Sequence, residues 1–68
     1  MKKTVIAIIG SEQHAYTLIG RRGDWNWRCP GGERAGEAAG GATKDAAFAN
    51  LYVNLENDEP DFESLEWE

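Results

Sequence analysis

Sixty-eight residues hold one small domain with a thin core, because a chain this short buries only about 60% of the surface its unfolded form exposes. An apolar share of 41% is too high for a disordered chain and too low for one made of membrane spans. Twelve acids against seven bases, a net charge of −5, argue against a general nucleic-acid binder, and one cysteine and one histidine leave neither a disulfide framework nor a Cys/His metal cluster.

The chain opens Met1-Lys2-Lys3 and then runs apolar from Thr4 to Ile9. A secretory signal needs an apolar region of about 7–15 residues and a small-residue cleavage site. Here Gly10-Ser11-Glu12-Gln13-His14 follows at once, so the run reads as a buried strand and the expected location is cytoplasmic. Cys29 then remains a thiol.

Three strands are predicted over about 4–9, 14–22 and 25–29. The β-branched run Thr4–Ile9 is the first. A four-residue loop over Gly10–Gln13 leads to the second, and Gly23-Asp24 makes a two-residue hairpin loop before the third. Pro30-Gly31-Gly32 ends it. These loops pair Gly20 with Trp27, Leu18 with Cys29, Ala7 with Tyr16 and Val5 with Leu18. One sheet face then carries Val5, Ala7, Ile9, Tyr16, Leu18, Trp25, Trp27 and Cys29. The other carries Ile6, Ile8, Ala15, Thr17, Ile19, Asn26 and Arg28, more apolar than a solvent face should be. It is expected either to be covered by the chain's ends or to meet a second copy through Ile6, Ile8 and Ile19.

Residues 31–42 are rich in Gly, Ala and Glu. They lack the Gly-Lys-Ser/Thr of a phosphate loop and read as a flexible connection. Thr43 is a good helix N-cap with Asp45 in the first turn, and a helix is predicted over about 44–56. Phe48, Leu51, Tyr52 and Leu55 fall at i, i+3, i+4 and i+7 as its apolar stripe, and Pro60 stops it.

The acidic segment 57–68 closes the chain. From Glu56 onward there are seven acids and no base; residues 1–55 hold the other five acids and all seven bases. The body is therefore +2 and the tail −7, a division that points to an interaction role. Phe62, Leu65 and Trp67 are interleaved with the acids. The segment is either a solvated tail or a fourth strand beside the sheet edge, parallel to the first strand if a crossover brings it there. The predicted fold is α+β: a three-stranded antiparallel meander followed by one packed helix, with that fourth C-terminal strand as its optional completion.

Nothing in the sequence supplies a catalytic pair. His14 has no second histidine and Cys29 no base, so no catalytic, metal or cofactor-binding residues are assigned and the chain reads as a non-enzyme. Arg22-Gly23-Asp24 is better explained by the hairpin turn than as an adhesion tripeptide. Arg21, Arg22 and Arg28 with Trp25, which is expected partly exposed beside the turn, form a third-ranked candidate for direct nucleic-acid binding. The negative balance argues against it. Carboxylates along an extended segment imitate a row of phosphates and steer a basic partner. The candidate partner-binding residues are Glu56, Asp58, Glu59, Asp61, Glu63, Glu66 and Glu68, with Trp25 and Trp67 as apolar anchors.

Two segments, Cys29-Pro30-Gly31 and Gly41-Ala42-Thr43-Lys44-Asp45-Ala46-Ala47, resemble the matching parts of HicB-type antitoxin domains, which run strand-strand-strand-helix-strand. The resemblance covers under half the chain, and that family's acid pair before the helix alanine is reduced here to Asp45. In style alone the chain is similar to small phage-encoded anti-CRISPR inhibitors. Both resemblances imply a small acidic protein that occludes a basic, nucleic-acid-handling partner; the antitoxin alternative makes that partner a small basic toxin. No membrane association is expected.

Overall fold

The computed structural model describes residues 2–28 and 40–68, Lys2 by its backbone alone. The elements are β1 (Lys2–Ile9), β2 (Glu12–Arg21), β3 (Asp24–Arg28), β4 (Gly40–Gly41), α1 (Lys44–Asp58) and β5 (Phe62–Trp67). The fold is α+β. Five antiparallel strands lie in the order β4-β3-β2-β1-β5, and the helix packs on one face of the sheet. The expectations for Cys29 and for residues 31–39 lie outside the described residues.

Both hairpins differ from the predicted ones by two residues in register. The first loop is Gly10-Ser11 alone, both residues at positive φ (58° and 72°), and it pairs Ile9 with Glu12 and Val5 with Tyr16. A two-residue turn with positive φ at both positions matches the right-handed twist of the flanking strands, whereas a four-residue loop does not need it. β2 therefore starts at Glu12 rather than at 14. The second turn is Arg22-Gly23, with Gly23 at φ 87°. Asp24 is already in the ladder opposite Arg21, Gly20 faces Trp25, and Leu18 faces Trp27. A slip of two residues leaves every side chain on its original face, because the strand period is two. The face assignment survives: Val5, Ala7, Tyr16, Leu18, Trp25 and Trp27 are all buried. Trp25, expected to be partly exposed beside the turn, is only 7% exposed.

β5 lies beside β1, as a fourth-strand reading requires, but antiparallel to it, with Val5 opposite Trp67 and Ala7 opposite Leu65. The predicted parallel direction assumes that the helix follows β3 directly. Instead Gly40 and Gly41 pair with Asn26 and Trp25 as β4, so at these two residues the chain is strand rather than open connection. That short strand reverses the chain once more. The helix then crosses from β4 to β5, which point the same way, so a crossover does join parallel strands, only not the pair foreseen.

Thr43 caps the helix as expected. Its backbone is extended and its Oγ1 accepts a 3.0 Å hydrogen bond from the Ala46 amide, an arrangement worth about 1 kcal/mol. The helix runs two residues past the predicted end, to Asp58. Its buried line is Ala47, Leu51 and Leu55, not the Phe48-Leu51-Tyr52-Leu55 stripe. The facing sheet already supplies bulk from Tyr16, Trp25 and Trp27, so close packing is reached by presenting the small Ala47 to it. Phe48 and Tyr52 fall to the flank. Phe48 stacks on Trp67 at 5.0 Å between centroids, and Tyr52, 38% exposed, meets Phe62 edge-on at 5.1 Å. With Leu65, and with Phe48 and Phe62 packed against them, the buried residues close one core between helix and sheet.

Candidate interaction surface

The sheet register sorts the charges by position. β1 ends at Ile9 opposite Glu12, and β5 begins at Phe62 opposite the same Ile9. The helix delivers its C-terminal end there too: the Glu59 amide donates to the Leu55 carbonyl, the Phe62 amide to Glu59, and the Gly10 amide to Asp61. Glu63 falls where the β1–β5 register shifts, and its Oε2 accepts from the Ser11 amide at 3.2 Å. One end of the molecule thus collects Glu12, Glu56, Asp58, Glu59, Asp61 and Glu63 from three separate stretches of chain. The ion-pair partner found there among the described residues is His14, 3.8 Å from Glu12.

Glu56 and Asp58 sit in the last helical turn, which contains no base. The helix C-terminus carries partial negative charge, so acids there weaken the helix rather than support it. Four bases lie at the opposite end, with Asp24 and Asp45 beside them: Lys3 at the start of β1, Arg21 and Arg22 at the second hairpin, and Lys44 at the helix start, its Nζ 5.9 Å from the centre of the Trp25 ring. A shallow cleft of about 220 Å³ opens there between Lys3, Lys44, Asp45 and Trp67.

Of the predicted partner-binding residues, Glu56, Asp58, Glu59, Asp61 and Glu63 are brought together. Glu66 and Glu68 are not. Glu66 pairs with Ile6, and the Glu68 amide donates to the Thr4 carbonyl, so both stand on the sheet face away from the helix. Trp25 belongs to the core and has little surface to present as an anchor or to stack on a base. Trp67 is 39% exposed and lies between Phe48 and Trp27, whose ring is 6.2 Å away; it borders the core while keeping a free side. Glu12 is the residue that sequence reasoning misses. No signal within the sequence marks it: a strand beside β1 starts next to the β1–β2 turn only when it runs antiparallel to β1, and the β3–β4 pairing sets that direction.

Among the described residues no three His, Cys, Asp or Glu side chains group as metal ligands, and no helix is long and apolar enough to cross a membrane. Comparison with protein-family models, with curated proteins and with solved structures gives no match.

Proposed function

We propose that this protein is a non-enzymatic inhibitor whose acidic end docks on, and occludes, the basic nucleic-acid-binding surface of a partner protein. The observation that carries the reading is the convergence of six carboxylates from the start of β2, the end of α1, the α1–β5 connection and the start of β5, two of them in a helical turn where they oppose the helix dipole. Such a cluster destabilises the free protein and becomes favourable against positive charge. It acts first on encounter: complementary potentials raise association rates, and salt screens them over about 8 Å at physiological ionic strength. Trp67, half-exposed beside Phe48, is the apolar surface that supports residence once contact is made.

The test is displacement. Proteins from a bacterial lysate that are retained on the immobilised chain at low salt are eluted and bound to labelled nucleic acid. The free chain is then added, and a gel shift reports what remains bound. The wild-type chain is expected to release the nucleic acid. A variant with Glu12, Glu59 and Glu63 changed to Gln and Asp58 and Asp61 to Asn is expected not to. Equal displacement by that variant at low salt removes the electrostatic mechanism.

A further inference from the structure

We propose that the outer edge of β5 takes an added antiparallel strand: an extended segment of a partner protein in which basic residues alternate with apolar ones. The inference does not rest on the inhibitor reading, because it uses the backbone and side chains of residues 64–68 rather than the acidic end.

The two margins of the sheet differ. β4 closes one with two residues, whereas β5 forms the other with six, Phe62–Trp67. The register fixes which backbone groups β5 turns outward. The Glu68 amide donates to the Thr4 carbonyl. By the alternation of an antiparallel ladder, Glu66 and Ser64 then bond to β1 opposite Ile6 and Ile8. The N–H and C=O groups of Leu65 and Trp67 point away from β1, and no described strand lies beyond them. Such a row of donors and acceptors is a template for one more strand.

The two faces of β5 determine what that strand carries. On the helix side, Leu65 lies between two ring pairs, Phe48 stacked on Trp67 and Tyr52 edge-on to Phe62. Trp67 and Tyr52 keep over a third of their surface open, so the rings make an aromatic shelf beside the edge, suited to apolar side chains. Lys3 and Lys44 stand with Asp45 at the Trp67 end of this side, which disfavours a basic side chain there. The opposite side carries Ser64, Glu66 and Glu68, and the neighbouring Thr4, Ile6 and Ile8 of β1 add no charge.

Residues directly opposite in an antiparallel pair share a face. Those opposite Leu65 and Trp67 therefore meet the shelf and are apolar. Those opposite Glu66 and Glu68 meet carboxylates and are basic. A second copy is the wrong occupant: pairing β5 with β5 gathers Glu66 and Glu68 of both chains on one face, and like charges across a ladder destabilise it.

The probe is an eight-residue peptide of alternating lysine and valine, blocked at both ends and added to the full chain. Amide hydrogen exchange read by NMR should slow at least roughly tenfold at Leu65 and Trp67 when the peptide saturates. Binding that leaves both amides unprotected is held by charge alone and overturns the proposal. Slowed exchange that grows with protein concentration in the absence of peptide assigns the edge to a second copy and also overturns it. The valine amides are the ones that face β5 in this register. N-methylation of the valines should weaken binding at least roughly tenfold, while N-methylation of the lysines should leave it nearly unchanged. Equal binding of the two methylated peptides overturns the strand pairing. Glu66→Lys and Glu68→Lys, both at exposed positions, should each weaken binding roughly fivefold. Unchanged affinity of the doubly substituted protein overturns the choice of a basic segment.

Discussion

The indole N–H of Trp27 donates a buried 2.9 Å hydrogen bond to the backbone carbonyl of Ala47. The bond ties the first turn of the helix to β3. With the side-chain amide of Asn50 donating to the Gly40 carbonyl, it fixes where the helix begins its passage over the sheet. Trp27→Phe keeps most of the ring and deletes the donor. The Ala47 carbonyl keeps its place in the helix ladder, so the expected loss is about 1–3 kcal/mol, read as a lower urea midpoint at unchanged slope. A midpoint equal to the parent's would show that the bond does not hold the helix in place.

Two turn-region glycines should respond in opposite ways. A Cβ at Gly20 would lie 2.2 Å from the Asp24 carbonyl oxygen and 2.9 Å from the Trp25 Cα, backbone that cannot step aside without breaking the β2–β3 pairing. Gly20→Ala is expected to cost at least about 3 kcal/mol. Gly23 has φ 87°, but a Cβ there would have nothing within 4 Å, and Asn tolerates that backbone region. Gly23→Asn should cost about 1 kcal/mol or less. Thermal melts of the two variants side by side check the pair, and equal melting temperatures would contradict the packing at Gly20.

The helix stripe separates two substitutions that periodicity treats alike. Leu51 is fully buried and Tyr52 is 38% exposed. Leu51→Ala should cost about 2–5 kcal/mol, as large-to-small core changes do, enough to unfold a domain of this size. Tyr52→Ala loses one edge-on contact with Phe62 and should cost about 1 kcal/mol. A larger loss at Tyr52 than at Leu51 would mean that the helix is rotated from the orientation described.

The acidic end predicts a trade between stability and binding. Asp58→Lys puts a cation in the last helical turn, where it complements the helix dipole. The free protein should gain a few tenths to about 1 kcal/mol, while association with a basic partner slows and loses part of its salt dependence. Denaturant melts give the first quantity and stopped-flow association at two salt concentrations the second. A variant less stable than the parent would remove the argument that these carboxylates oppose the fold.

Local signals carried much of this structure. The period-two pattern of Val5, Ala7, Tyr16, Leu18, Trp25 and Trp27 assigned the buried face correctly, and it did so through two wrong registers, because each error was an even number of residues. Thr43 announced the helix, since a cap is chemistry between residues three apart. The −7 tail was visible as a charge count. Tertiary structure alone decided the rest. Gly40 and Gly41 have no side chains to mark a strand; they join the sheet through backbone hydrogen bonds to a segment far away in sequence, and that pairing sets the direction of β5. Ala47 faces the core because the sheet opposite it is bulky, which the helix's own periodicity does not record. Glu12 joins the acidic end only because β5 starts beside the first hairpin turn. In each case the deciding contact lies between segments distant in the chain, where the pattern within either one is silent.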